Sequence, residues 1–181
     1  MKKFIVTILI FTTTLPYSLN AQQISSKSYN NEYIHEDFKG NNTKFKIVTS
    51  NDNYFILDQG DYLLSRNNNE TEYAIIVDNS KISDFVLKTG IKIGPSENKK
   101  ASLGIILKSQ IDGKGAVIFE INKQGEYRVK QLVGNVYQAL SSDKNKGWVK
   151  SSLINGIDKK NLVEIRSEKN IYEVYTNGKY L

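Results

Sequence analysis

The chain has 181 residues, with 25 Lys and Arg against 19 Asp and Glu, a formal charge of +6, one histidine and no cysteine. That length suits one domain plus a targeting segment. The missing cysteines exclude disulfides, thiolate metal sites, a cysteine nucleophile and a lipid-modified N-terminal Cys. The positive charge is spread along the chain without a basic block, which argues against a nucleic-acid partner.

Residues 1–21 read as a signal peptide. Lys2 and Lys3 form the positive start, Phe4 to Phe11 the apolar run, and Ala21 before Gln22 the small residue of a cleavage site. Thr12, Thr13 and Thr14 cut the apolar run well short of the roughly 20 residues a membrane helix needs, so no membrane span is expected once the signal is removed. The Met1-Lys2-Lys3 start looks bacterial, and the protein is expected to be secreted or periplasmic. Cleavage lowers the formal charge of +6 by two.

Residues 22–36 are polar and aperiodic, and read as a flexible leader. From Asp37 to Leu181, short runs rich in Ile, Val, Tyr and Phe alternate with Asn, Asp, Gly and Ser clusters. The predicted strands are Lys44–Thr49, Tyr54–Leu57, Asp61–Arg66, Tyr73–Val77, Phe85–Ile93, Leu103–Ser109, Ala116–Ile121, Tyr127–Leu132, Val136–Leu140, Leu162–Ser167 and Ile171–Thr176. No amphipathic helix of useful length intervenes. The spacing predicts an all-β sandwich or barrel, and a domain of roughly 145 residues buries enough surface to be stable without disulfides.

The stretch "GAVIFEINKQGEYRVKQL", Gly115 to Leu132, predicts a hairpin. Val117, Phe119 and Ile121 share one face, with Ala116, Ile118 and Glu120 on the other. "NKQG" forms the turn, with Gly125 able to take a positive φ. Tyr127 and Val129 share the next face, with Glu126, Arg128 and Lys130 opposite. Glu120 and Glu126 read as solvated charges flanking the turn, paired across the strands with Arg128 and Lys130.

The order of features after residue 100 resembles the concanavalin A-like lectin and glucanase superfamily, especially its laminin G-like branch and related bacterial sugar-hydrolase-like domains. Gly104-Ile105-Ile106, Trp148, Asn161-Leu162-Val163 and the Asn177-Gly178 turn stand where that family places its glycine-aliphatic run, Trp segment, Asn-Leu strand and final hairpin. Upstream, "YFILDQGDYLLSR" and "SDFVLKTGIKI", with Phe85 in its Asp-Phe position, match the early strands. The resemblance covers Asp37 to Leu181 and implies an antiparallel two-sheet jelly-roll sandwich. Gly104 is expected to let a neighbouring backbone approach closely, and Trp148 to fill space under a loop. The family's usual last strand would have to fit into Lys179–Leu181 or be missing, leaving an open sheet edge. The Glu-x-Asp-x-x-Glu signature of the family's glucanases is absent.

The only histidine, His35, lies in the leader, so a Ser–His–Asp triad and His-based metal sites within the domain are excluded. "DGKGAV" at Asp112 is a turn and no phosphate-binding loop. No cofactor is expected. The resemblance leaves room for calcium, with Asp58, Asp61, Asp78, Asp84 and Asp112 as oxygen donors, although their spacing matches no EF-hand. Lectin-like use of the fold implies aromatic and polar ligand contacts, and the candidate ligand-binding residues are Tyr127, Arg128, Tyr137, Trp148, Tyr172 and Tyr175. The expected function is an exported, non-catalytic binding module for a carbohydrate or a cell-envelope protein. Two other readings stand beside it: a glycan-active enzyme using Glu120, Glu126 or Glu164, and an assembly domain pairing through an open sheet edge.

Overall fold

The computed structural model of the chain describes residues 4–5, 32, 34–40, 42–67, 74–75, 77, 82–110, 112–169 and 171–181. Its strands in chain order are β1 (Phe4–Ile5), β2 (Val48–Thr49), β3 (Asn53–Asp58), β4 (Asp61–Arg66), β5 (Phe85–Lys92), β6 (Ser102–Leu107) and β7 (Gly115–Asn122). They continue with β8 (Glu126–Val133), β9 (Val136–Ala139), β10 (Val149–Lys150), β11 (Lys160–Glu168), β12 (Ile171–Thr176) and β13 (Lys179–Tyr180). One sheet runs β13-β12-β11-β5-β1-β4-β3-β2 and the other β10-β8-β7-β6, with β9 also paired to β8. All pairings are antiparallel. The chain is therefore an all-β two-sheet protein, as its patterning predicts. Strand β1 belongs to the apolar segment read as a signal peptide. It bridges Leu63–Leu64 of β4 and Lys92 of β5, a bridge that a processed chain would lose.

Side chains that alternate along each strand meet between the sheets. Phe85, Leu87 and Ile91 of β5 and Val163 and Ile165 of β11 pack with Ile105 and Leu107 of β6 and Phe119 and Ile121 of β7. Tyr127, Val129, Tyr172 and Val174 pack half-buried against the same core. A second cluster gathers Phe38, Phe45, Phe55, Tyr62, Leu64 and Ile75, and touches both Leu103 and Ile106 of β6. Within it the rings of Phe38 and Phe45 meet edge to face at 5.0 Å, and Phe45 lies 4.9 Å from Tyr62.

Two predicted strands differ. Of Lys44–Thr49 only Val48–Thr49 joins a sheet. Upstream, the Thr43 hydroxyl accepts the Phe45 amide and donates to Glu36, a local arrangement that competes with a ladder. In Tyr73–Val77, Ala74, Ile75 and Val77 carry no strand, and Ile75 meets its apolar demand in the second cluster; Tyr73 and Ile76 lie outside the described residues. Strands β10 and β13 are two residues each, too short for a period-2 signal. Gly104 behaves as expected, since a Cβ there would sit 2.1 Å from the Phe119 carbonyl oxygen.

The Asn motifs act as clamps. Asn161 is 1% exposed; its Oδ1 accepts the Asn155 amide at 2.7 Å, and its Nδ2 donates back to the Asn155 carbonyl at 3.2 Å. Asn177 accepts the Leu162 amide and donates to the Leu153 carbonyl, both at 2.9 Å. Asn177 and Gly178 both take positive φ, which lets the chain reverse into β13. Together they tie the 151–159 loop to the end of β11 and seat Ile154 in the core. Removing a buried amide that makes several such bonds costs about 2–3 kcal/mol. Asn161→Ala is therefore expected to lower unfolding free energy in urea by that amount. Leu162→Asn, next to it on the exposed face, should cost no more than about 0.5 kcal/mol.

Candidate functional site

The β7–β8 register places Glu120 opposite Arg128, and Ile118 opposite Lys130. All four point away from the core, because Phe119, Ile121, Tyr127 and Val129 point into it. On this outer face Glu120 is 6% exposed and Lys130 3%. Arg128 donates through Nη2 to Glu120 Oε2 at 2.6 Å and through Nε at 3.1 Å, while Lys130 Nζ lies 2.8 Å from Glu120 Oε1. The expectation of two solvated glutamates is thus corrected for Glu120. Its neighbours on β8 reach it directly, and the surrounding chain excludes water. Glu126 is half-buried and accepts a hydrogen bond from Asn122 Nδ2 at 2.7 Å.

An aromatic ring covers each cation. Trp148, just before β10, stacks on the Arg128 guanidinium at 4.5 Å, and the Tyr137 ring on β9 lies 4.2 Å from Lys130 Nζ. Arg128 and Lys130 are two residues apart on one strand, so the two covered cations are spaced about 7 Å along β8. The loop that carries Trp148 is braced by Ser141, which accepts the Val129 amide at 3.0 Å and donates to the Gly147 carbonyl. Arg128 also donates to the Lys146 carbonyl at 3.4 Å. Tyr137 remains 49% exposed and Trp148 half-buried. The result is an aromatic surface whose supporting charges are engaged with one another. Both oxygens of Glu120 face cations.

The sequence-predicted ligand residues divide among three places. Arg128, Tyr137 and Trp148 come together on this outer face. Tyr127 packs half-buried against the core. Tyr172 also faces the core, with Lys108 Nζ 5.3 Å from its ring centre. Burial pushes the Tyr172 phenol up, with the Ser167 side chain offsetting part of the rise, and burial lowers the Lys108 ammonium against the opposing pull of Asp84. Tyr175 lies on the outer face of the other sheet, under Arg166 at 4.6 Å, edge-on to Tyr180, and donating to Glu173 at 3.0 Å. Burial and then Glu173 raise its phenol. Sequence reasoning paired Glu120 with Arg128 and Lys130 and missed the burial of Glu120 and Lys130, which depends on chain from outside the hairpin.

Of the calcium candidates, Asp58 and Asp61 face each other across the β3–β4 turn, Asp84 accepts the Lys169 amide, and Asp112 accepts the Lys114 amide in its own turn. Asp78 lies outside the described residues. Among the described residues no three His, Asp or Glu side chains are grouped to hold a metal, and no helix is long and apolar enough to cross a membrane.

Removing the carboxylate takes the shared charge partner from buried Lys130 and half-buried Arg128, and breaking a buried pair costs roughly 3–5 kcal/mol. Glu120→Gln is expected to show that loss in urea denaturation, with Glu126→Gln below about 1 kcal/mol. The Tyr172 phenol holds its proton in the folded chain at pH values where the unfolded chain releases it. Stability contributed by this group is thus intact below pH ~10 and declines above it. Tyr172→Phe should flatten the fall in stability measured between about pH 10 and 12.

No family model matches the sequence, and no curated protein matches it. Among solved structures the chain is similar to a carbohydrate-binding module, CBM66 from Bacillus subtilis, at 14% identity with a TM-score of 0.45, over 55% of this chain and 56% of that one. The alignment thus spans about half of that module, and the functional reading rests on this chain's own residues.

Proposed function

We propose that the protein is an exported, non-catalytic binding module that recognises a carbohydrate of the cell surface or its surroundings, built on a jelly-roll sandwich of the concanavalin A-like kind. In this reading residues 1–21 direct export, the chain is cut near Ala21, and the module works in the periplasm or outside the cell. The observation that carries the proposal is the pair of aromatic rings, Trp148 and Tyr137, held on Arg128 and Lys130 on the outer face of β8.

Sugar rings present apolar C–H faces, and these bind flat aromatic surfaces that are already immobilised. Preorganisation matters because ordering a free side chain on binding costs about 0.5–1.5 kcal/mol. Here the ion pairs to Glu120 and the Ser141 brace have fixed the platform before a ligand arrives. Trp148 precedes β10, which pairs at Tyr127, and Tyr137 lies opposite Leu132, so the two rings are set at different points along β8, as contacts along an extended glycan require. Tyr175, beside Tyr180 and Arg166 on the other sheet, is a secondary contact in this proposal, while Tyr127 and Tyr172 support the fold that presents the platform.

A glycan and polysaccharide array probed with the folded protein tests the reading. Selective binding to one sugar class is expected, and Trp148→Ala and Tyr137→Ala should each weaken it by about tenfold, or 1.4 kcal/mol. Asp58→Asn, in the β3–β4 turn of the other sheet, should leave it unchanged. Binding indifferent to both aromatic substitutions would remove the platform from the proposal.

A further inference from the structure

A depression of about 390 Å³ lies on the other sheet, where the β2–β3 turn meets the end of β4. It is lined by Ser50, Asn51, Asp52, Asn53, Tyr54, Ser65 and Asn67. Tyr54 and Ser65 are opposed in the β3–β4 ladder, and both point away from the second aromatic cluster because Phe55 and Leu64 point into it. The opening therefore faces outward from the sheet that does not carry Trp148.

The rim is built by local hydrogen bonds. The Ser50 hydroxyl accepts the Asn53 amide at 3.0 Å, and the Asn67 amide donates to the Asp52 carbonyl at 3.0 Å. The Asn67 side chain reaches the Asn51 carbonyl. These bonds use backbone groups and the Ser50 and Asn67 side chains. Among the described residues the side chains of Asn51, Asp52 and Tyr54 are left without a hydrogen-bond partner. The lining thus offers one aromatic ring, one carboxylate, amides and hydroxyls, and the cation beside it, Arg66, is engaged with Asn53 Oδ1 at 3.2 Å.

We infer that this depression is a second ligand site, which takes a single neutral sugar unit. A sugar hydroxyl both donates and accepts, so it matches a carboxylate beside amides. The Tyr54 ring supplies the flat surface for the C–H face. An anionic ligand would meet the Asp52 charge, with the neighbouring Arg66 guanidinium already donating to Asn53, and a purely apolar one would desolvate Asn51 and Asp52 without replacing their bonds to water. The volume falls at the small end of ligand sites, which suits one ring. Combined with the platform proposed above, a site on the opposite sheet would let one molecule hold two glycan segments at once.

The site itself does not depend on the platform, and the experiment separates them. Methyl glycosides of the common hexoses and pentoses are titrated into the isotope-labelled full chain, and the side-chain amide signals of Asn51 and Asn67 are followed by NMR. At least one glycoside is expected to shift both signals in a saturable way. Asp52→Asn and Tyr54→Ala should each weaken that titration about tenfold, with Tyr54→Phe intermediate, while Trp148→Ala leaves it unchanged. Amide signals unmoved by every glycoside up to its solubility limit would overturn the site. So would a titration that survives both Asp52→Asn and Tyr54→Ala, or one that is lost in Trp148→Ala.

Discussion

A slip of one residue between β7 and β8 would turn Phe119 and Ile121 out to solvent and drive Glu120 between the sheets. The period of side chains along a strand is two, so register and facing are the same constraint. The pairing of Glu120 with Arg128 and of Phe119 with Val129 meets both demands together. The core needs the apolar set inside, and the charged set can be buried outside only if the acid lands between its two cations. The hairpin turn, closed by Asn122 Oδ1 accepting the amides of Gln124 and Glu126, holds that register from one end.

A buried charge cluster is a weak source of net stability, because the cost of desolvation offsets much of the attraction. Its value here is geometric. Arg128 is held by Glu120 and by the Lys146 carbonyl, with its guanidinium carbon 4.5 Å from the centre of the Trp148 ring. Lys130 is held by the same carboxylate under Tyr137. An aliphatic strand face would leave these rings to choose their own rotamers. The charges give both rings a partner on the strand face, and a ring ordered in advance costs a ligand less to bind.

The six residues singled out from sequence were chosen for chemical type and for nearness to motifs. The structure sorts them by strand parity. Tyr127 and Arg128 are adjacent in sequence and end on opposite faces of β8, one against the core and the other beneath Trp148. Tyr172 and Tyr175 are three apart on one strand and part in the same way. Parity was legible from the alternation of Phe119, Ile121, Tyr127 and Val129, so their inward placement followed from it. Which outward positions are covered by other chain was not legible. The burial of Glu120 and Lys130 depends on Tyr137, Trp148 and the 141–147 loop, and no local pattern announces that cover.

By itself the sequence determined the all-β class, most strand positions, the hairpin from Gly115 to Leu132, and the turns at Gly125 and Asn177-Gly178. These are local consequences of period-2 alternation and of backbone conformations that few residues accept. It also limited the chemistry, since a single histidine, His35, and no cysteine remove whole classes of site. Tertiary structure decided what lies beside what. It set β5 against β11 and laid Trp148 over Arg128. It also brought Ser65 and Asn67 up to Asn51, Asp52 and Tyr54. Such neighbours are set by strand order and sheet packing, which join residues far apart in the chain, and a pattern confined to a few consecutive residues carries no record of them.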